Sequence, residues 1–210
     1  MLIFIALGLL ALLILWGLRR GSARARARAA FLSQVAPLFD RVTQQIAPNG
    51  FPRMTAHMGD MAFDLQLVAD SLTFRKLPTL WLMVTLPRPM PLAGTCHIMA
   101  RPTGFEPFSK FKSLHHSADL PLPEGCVARC DDPALVPAAL SRHCAIFADP
   151  LVKELVVSPK GLRIVILADE AARNAYLIFR DAELGMHPLP PERLAPILTA
   201  LTELNTDLRT

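Results

Sequence analysis

Thr79-Leu-Trp-Leu-Met-Val-Thr-Leu86 holds six apolar residues in eight positions and no charge. A strand with one wet face alternates apolar and polar residues, so a run that is apolar on both faces reads as a central strand covered on both sides. The sequence just before it supplies neighbours. Met61, Phe63, Leu65 and Leu67 alternate with Ala62, Asp64 and Gln66, the period of two that marks a half-buried strand. Gly59-Asp60 predicts a hairpin turn back to a strand over residues 53–58, residues 72–76 continue the alternation, and Pro78 marks a bulge or strand start.

Beyond the run, residues 87–123 are punctuated by prolines and predict a loop-rich excursion, with short strands at 94–100 and 105–113. Asp132-Pro133 predicts a helix over 132–144, with Asp as N-cap and Pro in the first turn. Asp149-Pro150 repeats the device for a shorter segment ending near Val156. Residues 162–168 and 175–180 read as the two strands of a hairpin. Pro190-Pro191-Glu192 then opens a helix bearing Leu194, Ile197, Leu198, Leu201, Leu204 and Leu208. The fold class expected is α+β, a mainly antiparallel sheet with a C-terminal helix packed on it.

The N-terminus has a different character. Residues 2–18 are uncharged and predominantly apolar, twelve of the seventeen being Leu, Ile or Phe, and Arg19, Arg20, Arg24, Arg26 and Arg28 follow. Seventeen residues of helix span roughly 25 Å, within the range of a bilayer core of about 30 Å, and their insertion is favourable by several kcal/mol. Ala23-Arg24-Ala25 resembles a signal-peptide cleavage site, but in signal peptides the positive charge precedes the apolar run, and here it follows. A single retained transmembrane helix is therefore expected. The arginines predict an N-terminus outside and a cytoplasmic C-terminal domain, and they are the candidate membrane-surface residues for anionic lipid headgroups.

Phe31, Val35, Leu38, Phe39, Val42 and Ile46 recur at helical spacing, which predicts an amphipathic connector helix over 29–47, interrupted near Pro37 and stopped by Pro48-Asn49-Gly50. The expected organisation is a transmembrane helix (1–18), a basic juxtamembrane segment and amphipathic helix (19–50), and an α+β domain (51–210).

Charge narrows the partners. Five of the 22 Lys and Arg and none of the 18 Asp and Glu lie in residues 1–28, which leaves 17 basic against 18 acidic residues in the rest. The basic balance belongs to the membrane flank, so nucleic acid is not an expected partner.

Chemistry leaves fewer marks. Cys96, Cys126, Cys130 and Cys144 are expected as thiols in a reducing cytoplasm. Cys126-x3-Cys130 with His143-Cys144 resembles a zinc set. If residues 125–131 form a strand, however, the first two cysteines stand about 13 Å apart, too far to share an ion. His115-His116 reads as a solvated loop pair, and His57, His97 and His187 have no partner identifiable from spacing. No G-x-G-x-x-G, P-loop, H-E-x-x-H, G-x-S-x-G or C-x-x-C occurs, so no catalytic, cofactor or metal-binding residue is assigned. Asp64, His97 and His115 are the unranked candidates for a motif-free active site. Trp81 with Pro87, Pro89 and Pro91 offers a recognition surface, although the apolar neighbours of Trp81 point to the core.

The string Leu72-Thr-Phe-Arg-Lys-Leu-Pro-Thr-Leu-Trp-Leu-Met-Val-Thr-Leu-Pro87, with Phe105-Glu-Pro-Phe-Ser109 and Phe179-Arg-Asp-Ala-Glu183, resembles uncharacterised bacterial proteins with one N-terminal transmembrane helix and a cytoplasmic domain of unknown function. The resemblance implies no activity, cofactor or catalytic residue. The function expected is a membrane-tethered cytoplasmic interaction module, an accessory or assembly subunit of a complex in the bacterial inner membrane. The alternatives are a membrane-bound enzyme with a motif-free pocket and a zinc or redox protein.

Overall fold

The computed structural model describes residues 2–71, 77–103, 106, 109–174, 176 and 182–210, without the side chains of 2, 3, 5–7 and 11. Among the described residues, helix α1 (Leu2–Ala29) leads into a nine-stranded sheet. The strands are β1 (Arg41–Ile46), β2 (Pro52–Met58), β3 (Met61–Asp70), β4 (Thr79–Leu86), β5 (Cys96–Ala100), β6 (His116–Ser117), β7 (Cys126–Cys130), β8 (Val152–Ser158) and β9 (Gly161–Glu170). Helix α2 (Pro191–Asp207) closes the chain. Every pairing is antiparallel, in the order β1-β2-β3-β4-β9-β8-β5-β7-β6. The chain is α+β with a large antiparallel sheet and a C-terminal helix, and β4 lies inside the sheet between β3 and β9.

Strand register explains the core. Met54, Leu65, Val84, Ile164, Leu155, Ile98 and Ala128 are successive cross-strand partners from β2 to β7, and each is 3% exposed or less. Cross-strand partners share a face, so one apolar row crosses seven strands. Leu194, Ile197, Leu198, Leu201 and Leu204 of α2 join the same core, as do Leu140, Cys144 and Phe147 of the 3₁₀ turns at Ala138–Ala148. Asp207 ties those turns to the end of α2, 2.9 Å from His143 Nε2 and 3.4 Å from Arg142 Nη2. The opposite face is covered by the excursion after β5, from which Phe111 and Leu114 are buried.

Several local expectations change. The connector helix over 29–47 is not formed: α1 ends at Ala29, a 3₁₀ turn occupies Ala36–Leu38, and β1 begins at Arg41. Pro37 has no N–H to continue a helix, and β1 gains a ladder with β2 through a turn in which Ala47 N–H donates to the Phe51 carbonyl. Phe31, Leu32, Val35 and Phe39 still pack into the core, while Val42 and Ile46 stay exposed. The segment after Asp149-Pro150 is the strand β8. The helix expected over 132–144 is two 3₁₀ segments interrupted around Pro137, although Asp132 caps as expected, Oδ1 accepting Ala134 N–H at 2.9 Å. Residues 111–113 form a 3₁₀ turn, and the strand expected at 105–113 lies partly outside the described residues. The hairpin partner of β9 is β8, through the turn before Gly161. The strand expected at 175–180 and the continuation at 72–76 fall outside the described residues, apart from residue 176.

Helix α1 takes up the apolar N-terminus, yet among the described residues no helix is long and apolar enough to cross a membrane. Its basic turns dock on the domain. Arg20 and Arg24 both donate to Glu183 Oε1, the former at 3.2 Å. Arg28 Nε donates to the Leu184 carbonyl at 3.3 Å, and its guanidinium lies 5.3 Å from the Phe51 ring centroid. Residues 20, 24 and 28 recur every four positions, so one helix stripe carries the contact.

Candidate functional site

The sheet face away from α2 carries the polar chemistry. One residue along from the apolar row runs a second cross-strand series, Asp64, Thr85, Arg163, Val156, His97 and Arg129. Adjacent strand residues point to opposite faces, so this series lies on the face that the excursion covers. The next row on that face is Gln66, Met83, Val165, Glu154, Met99 and Val127.

Glu154 is the centre of this face. It is fully buried among Met83, Val165 and Met99, a position that a carboxylate occupies only with partners. His97 Nδ1 lies 3.1 Å from its Oε1, Ser109 Oγ donates to the same oxygen, and Arg163 Nη2 lies 3.6 Å from its Oε2. A nucleophilic triad needs the imidazole against the hydroxyl, whereas here both groups meet one carboxylate oxygen. The arrangement orients His97 and does not activate Ser109.

His97 opens onto a pocket of about 670 Å³ at the end of the sheet where β8 turns into β9. Thr85, Lys110, Asp131, Lys160 and Arg163 share the lining. A second pocket of about 400 Å³ lies at the other end of the same face, lined by Asp70, Trp81, Arg101, Glu106, Lys153 and Glu170. A bulge builds it: the β8–β9 register shifts between Val152 and Glu154, leaving Lys153 without an opposite residue. Lys153 Nζ donates to the Ala100 and Arg101 carbonyls, both at 2.9 Å, and pairs with Glu106 at 3.1 Å. Arg101 adopts φ +46, the left-handed region, and its Nη2 donates to the Pro150 carbonyl at 2.7 Å.

The three candidates for a motif-free site separate. His97 lines the larger pocket with a carboxylate behind it. Asp64 instead accepts two bonds from Arg53, at 2.9 Å each, and that hydrogen bonding raises the Arg53 pKa further above its usual range. His115 is exposed in a loop. His57 in β2 is half-buried, and His116 and His187 are exposed. Trp81 is half-buried in the smaller pocket, and Pro87 lines the larger one. Glu154 escapes sequence reading, but one signal exists: Lys153-Glu154 is a charged pair inside the apolar run from Leu151 to Val157.

The zinc geometry does not assemble. Cys126 and Cys130 lie four residues apart on β7, about 13 Å along a strand. Among the described residues no three His, Cys, Asp or Glu are grouped to hold a metal ion. All four cysteines are unpaired. Burial pushes the Cys96 thiol up to about 12, with Cys130 and Cys144 nearby adding to it, and burial raises the other three as well. Such thiols are poor nucleophiles and reluctant ligands.

No family model and no curated protein matches the chain. Among solved structures, the mycobacterial trehalose monomycolate transport factor A, TtfA, is similar over 72% of this chain and 75% of that one. The identity is 11% and the TM-score 0.36, a likeness too slight to carry an argument.

Proposed function

We propose that the chain is a membrane-tethered interaction module, an accessory or assembly subunit of a bacterial inner-membrane complex. In this reading the first turns of α1 lie in the bilayer, the N-terminus is outside, and the α+β domain is cytoplasmic. The observation that carries it is the apolar part of α1. Its nine described large apolar side chains between Phe4 and Leu18 are 53–79% exposed. Exposed large apolar side chains of this kind are unfavourable in water and favourable in hydrocarbon. Trp16 marks the interface, with the Arg20 guanidinium 5.4 Å from its ring centroid.

The arginines then divide. Arg20, Arg24 and Arg28 hold the domain, while Arg19 and Arg26 reach no group of the domain among the described residues and are the ones available to anionic headgroups. The positive flank and the four unpaired cysteines both fit the cytoplasmic side.

The partner surface is β1. All six of its residues are exposed, and among the described residues it pairs only with β2, so its outer backbone edge is available for strand addition by another chain. A photo-crosslinking residue at Thr43, on this edge, is expected to give one discrete adduct in native membranes. The same group at exposed Glu203 on α2 is expected to give none. Equal labelling at both positions, or none at Thr43, contradicts the module reading. The second reading, a membrane-bound enzyme, is favoured by one observation: His97, backed by Glu154 on the larger pocket, has the placement of a general acid or base.

A further inference from the structure

The larger pocket has a composition that a protein-docking role leaves unused. Its lining sets Lys110, Lys160 and Arg163 against one carboxylate, Asp131, and the Oδ2 of Asp131 already accepts Thr95 N–H at 2.9 Å. Neither lysine forms an ion pair among the described residues. Arg163 is the inner cation. Its Nη2 stands 3.6 Å from Glu154 Oε2, beyond hydrogen-bond length, and its Nε and that carboxylate oxygen are both buried with no hydrogen-bond partner among the described residues. The Arg163 side chain is 26% exposed and lines the pocket, so its accessible part offers a planar cation to an oxyanion there. The hydroxyl of Thr85 and the imidazole of His97 stand on the same wall.

We infer that this pocket binds a soluble phosphate monoester. Three cations, Lys110 from the excursion and Lys160 and Arg163 from the β8–β9 hairpin, suit a group carrying close to two negative charges at neutral pH better than a single carboxylate. Val156, Pro87 and Pro159 provide an apolar wall for the organic part, and about 670 Å³ is the size of a small-molecule site. A lipid headgroup offers the same phosphate, but the position of the pocket favours the soluble source. The anchor docks at the opposite end of the sheet, where Gly185 N–H donates to Asp169 at 2.8 Å. From Arg163 to Asp169 is roughly 20 Å along β9, so the pocket opens away from the end where α1 is fastened.

Calorimetric titration of the full-length protein in a neutral detergent, with phenyl phosphate as the probe, tests this. Saturable binding at one site is expected, weakened at least about tenfold in the Lys110→Gln/Lys160→Gln double variant and lost in Arg163→Gln. Thermal unfolding reports whether each variant is folded, and the exposed lysine pair decides the matter if Arg163→Gln is not. No saturation by about 10 mM, or equal affinity in the lysine variant, overturns the proposal. Binding of phosphatidic acid micelles that phenyl phosphate fails to displace overturns the soluble assignment.

Discussion

Gly161→Ala lowers the stability of the domain by about 3 kcal/mol or more, a fall in Tm on the order of 10 °C. Gly161 opens β9 at φ +137, a region that residues with a side chain rarely enter. A Cβ there would stand 2.2 Å from the Leu86 carbonyl oxygen and 3.1 Å from Arg88 N. Both obstacles are backbone, and Leu86 pairs in register with Leu162, so relief requires the end of β4 and the start of β9 to part. The strain adds about 1–3 kcal/mol before any overlap is counted. Gly59→Ala is the matched control: φ is +59, nothing lies within 4 Å of the added Cβ, and the loss is about 1 kcal/mol. Thermal unfolding of the two variants side by side checks the prediction, and equal losses would contradict the backbone conflict at Gly161.

Lys153→Met costs about 3–5 kcal/mol, because it removes the cation and leaves Glu106 beside two carbonyls in a nearly closed site. The side chains of Lys153 and Glu106 are 7% and 8% exposed, so solvent does little to screen the loss. Glu106→Gln costs less, about 1–2 kcal/mol, since Lys153 keeps the Ala100 and Arg101 carbonyls. Replacing both residues together, as Lys153→Met/Glu106→Leu, recovers much of the loss from Lys153→Met alone, because no unpaired charge remains. Urea unfolding of the three variants measures the order. A Glu106→Gln loss as large as that of Lys153→Met would show that the carbonyl contacts contribute nothing.

The hairpin β2–β3 and the central strand were legible because their apolar residues keep a period of two, and pairing with adjacent chain preserved that pattern. The insertion of β8 and β9 between β4 and β5 was not legible, since it depends on which distant strand meets the free edge of β4. The apolar residues of 31–46 fit helical spacing, and only the ladder of Arg41–Ile46 with β2 reveals that this end is a strand. Asp149-Pro150 carries a helix-start signature that the pairing of β8 on both edges overrides. The candidate site was half visible. His97 stood among the histidines, but its meaning comes from Glu154 on the neighbouring strand and Ser109 in the excursion, neither at a spacing that marks a motif. The stripe of Arg20, Arg24 and Arg28 is plain in the sequence, whereas its acceptor, Glu183, lies more than 150 residues further on.

The proposal that α1 fastens this domain to a bilayer is tested most directly by flotation. The full-length protein is reconstituted with phospholipid vesicles, washed at alkaline pH and centrifuged through a density gradient beside the Leu9→Arg/Leu13→Arg variant. Both substitutions fall on exposed positions of α1 away from the core, so the domain should keep its far-ultraviolet circular dichroism. The full-length protein is expected to rise with the vesicles and the variant to stay at the bottom, since each central arginine opposes insertion by about 3 kcal/mol. A full-length chain that stays at the bottom, or a variant that floats equally well, would contradict the proposal.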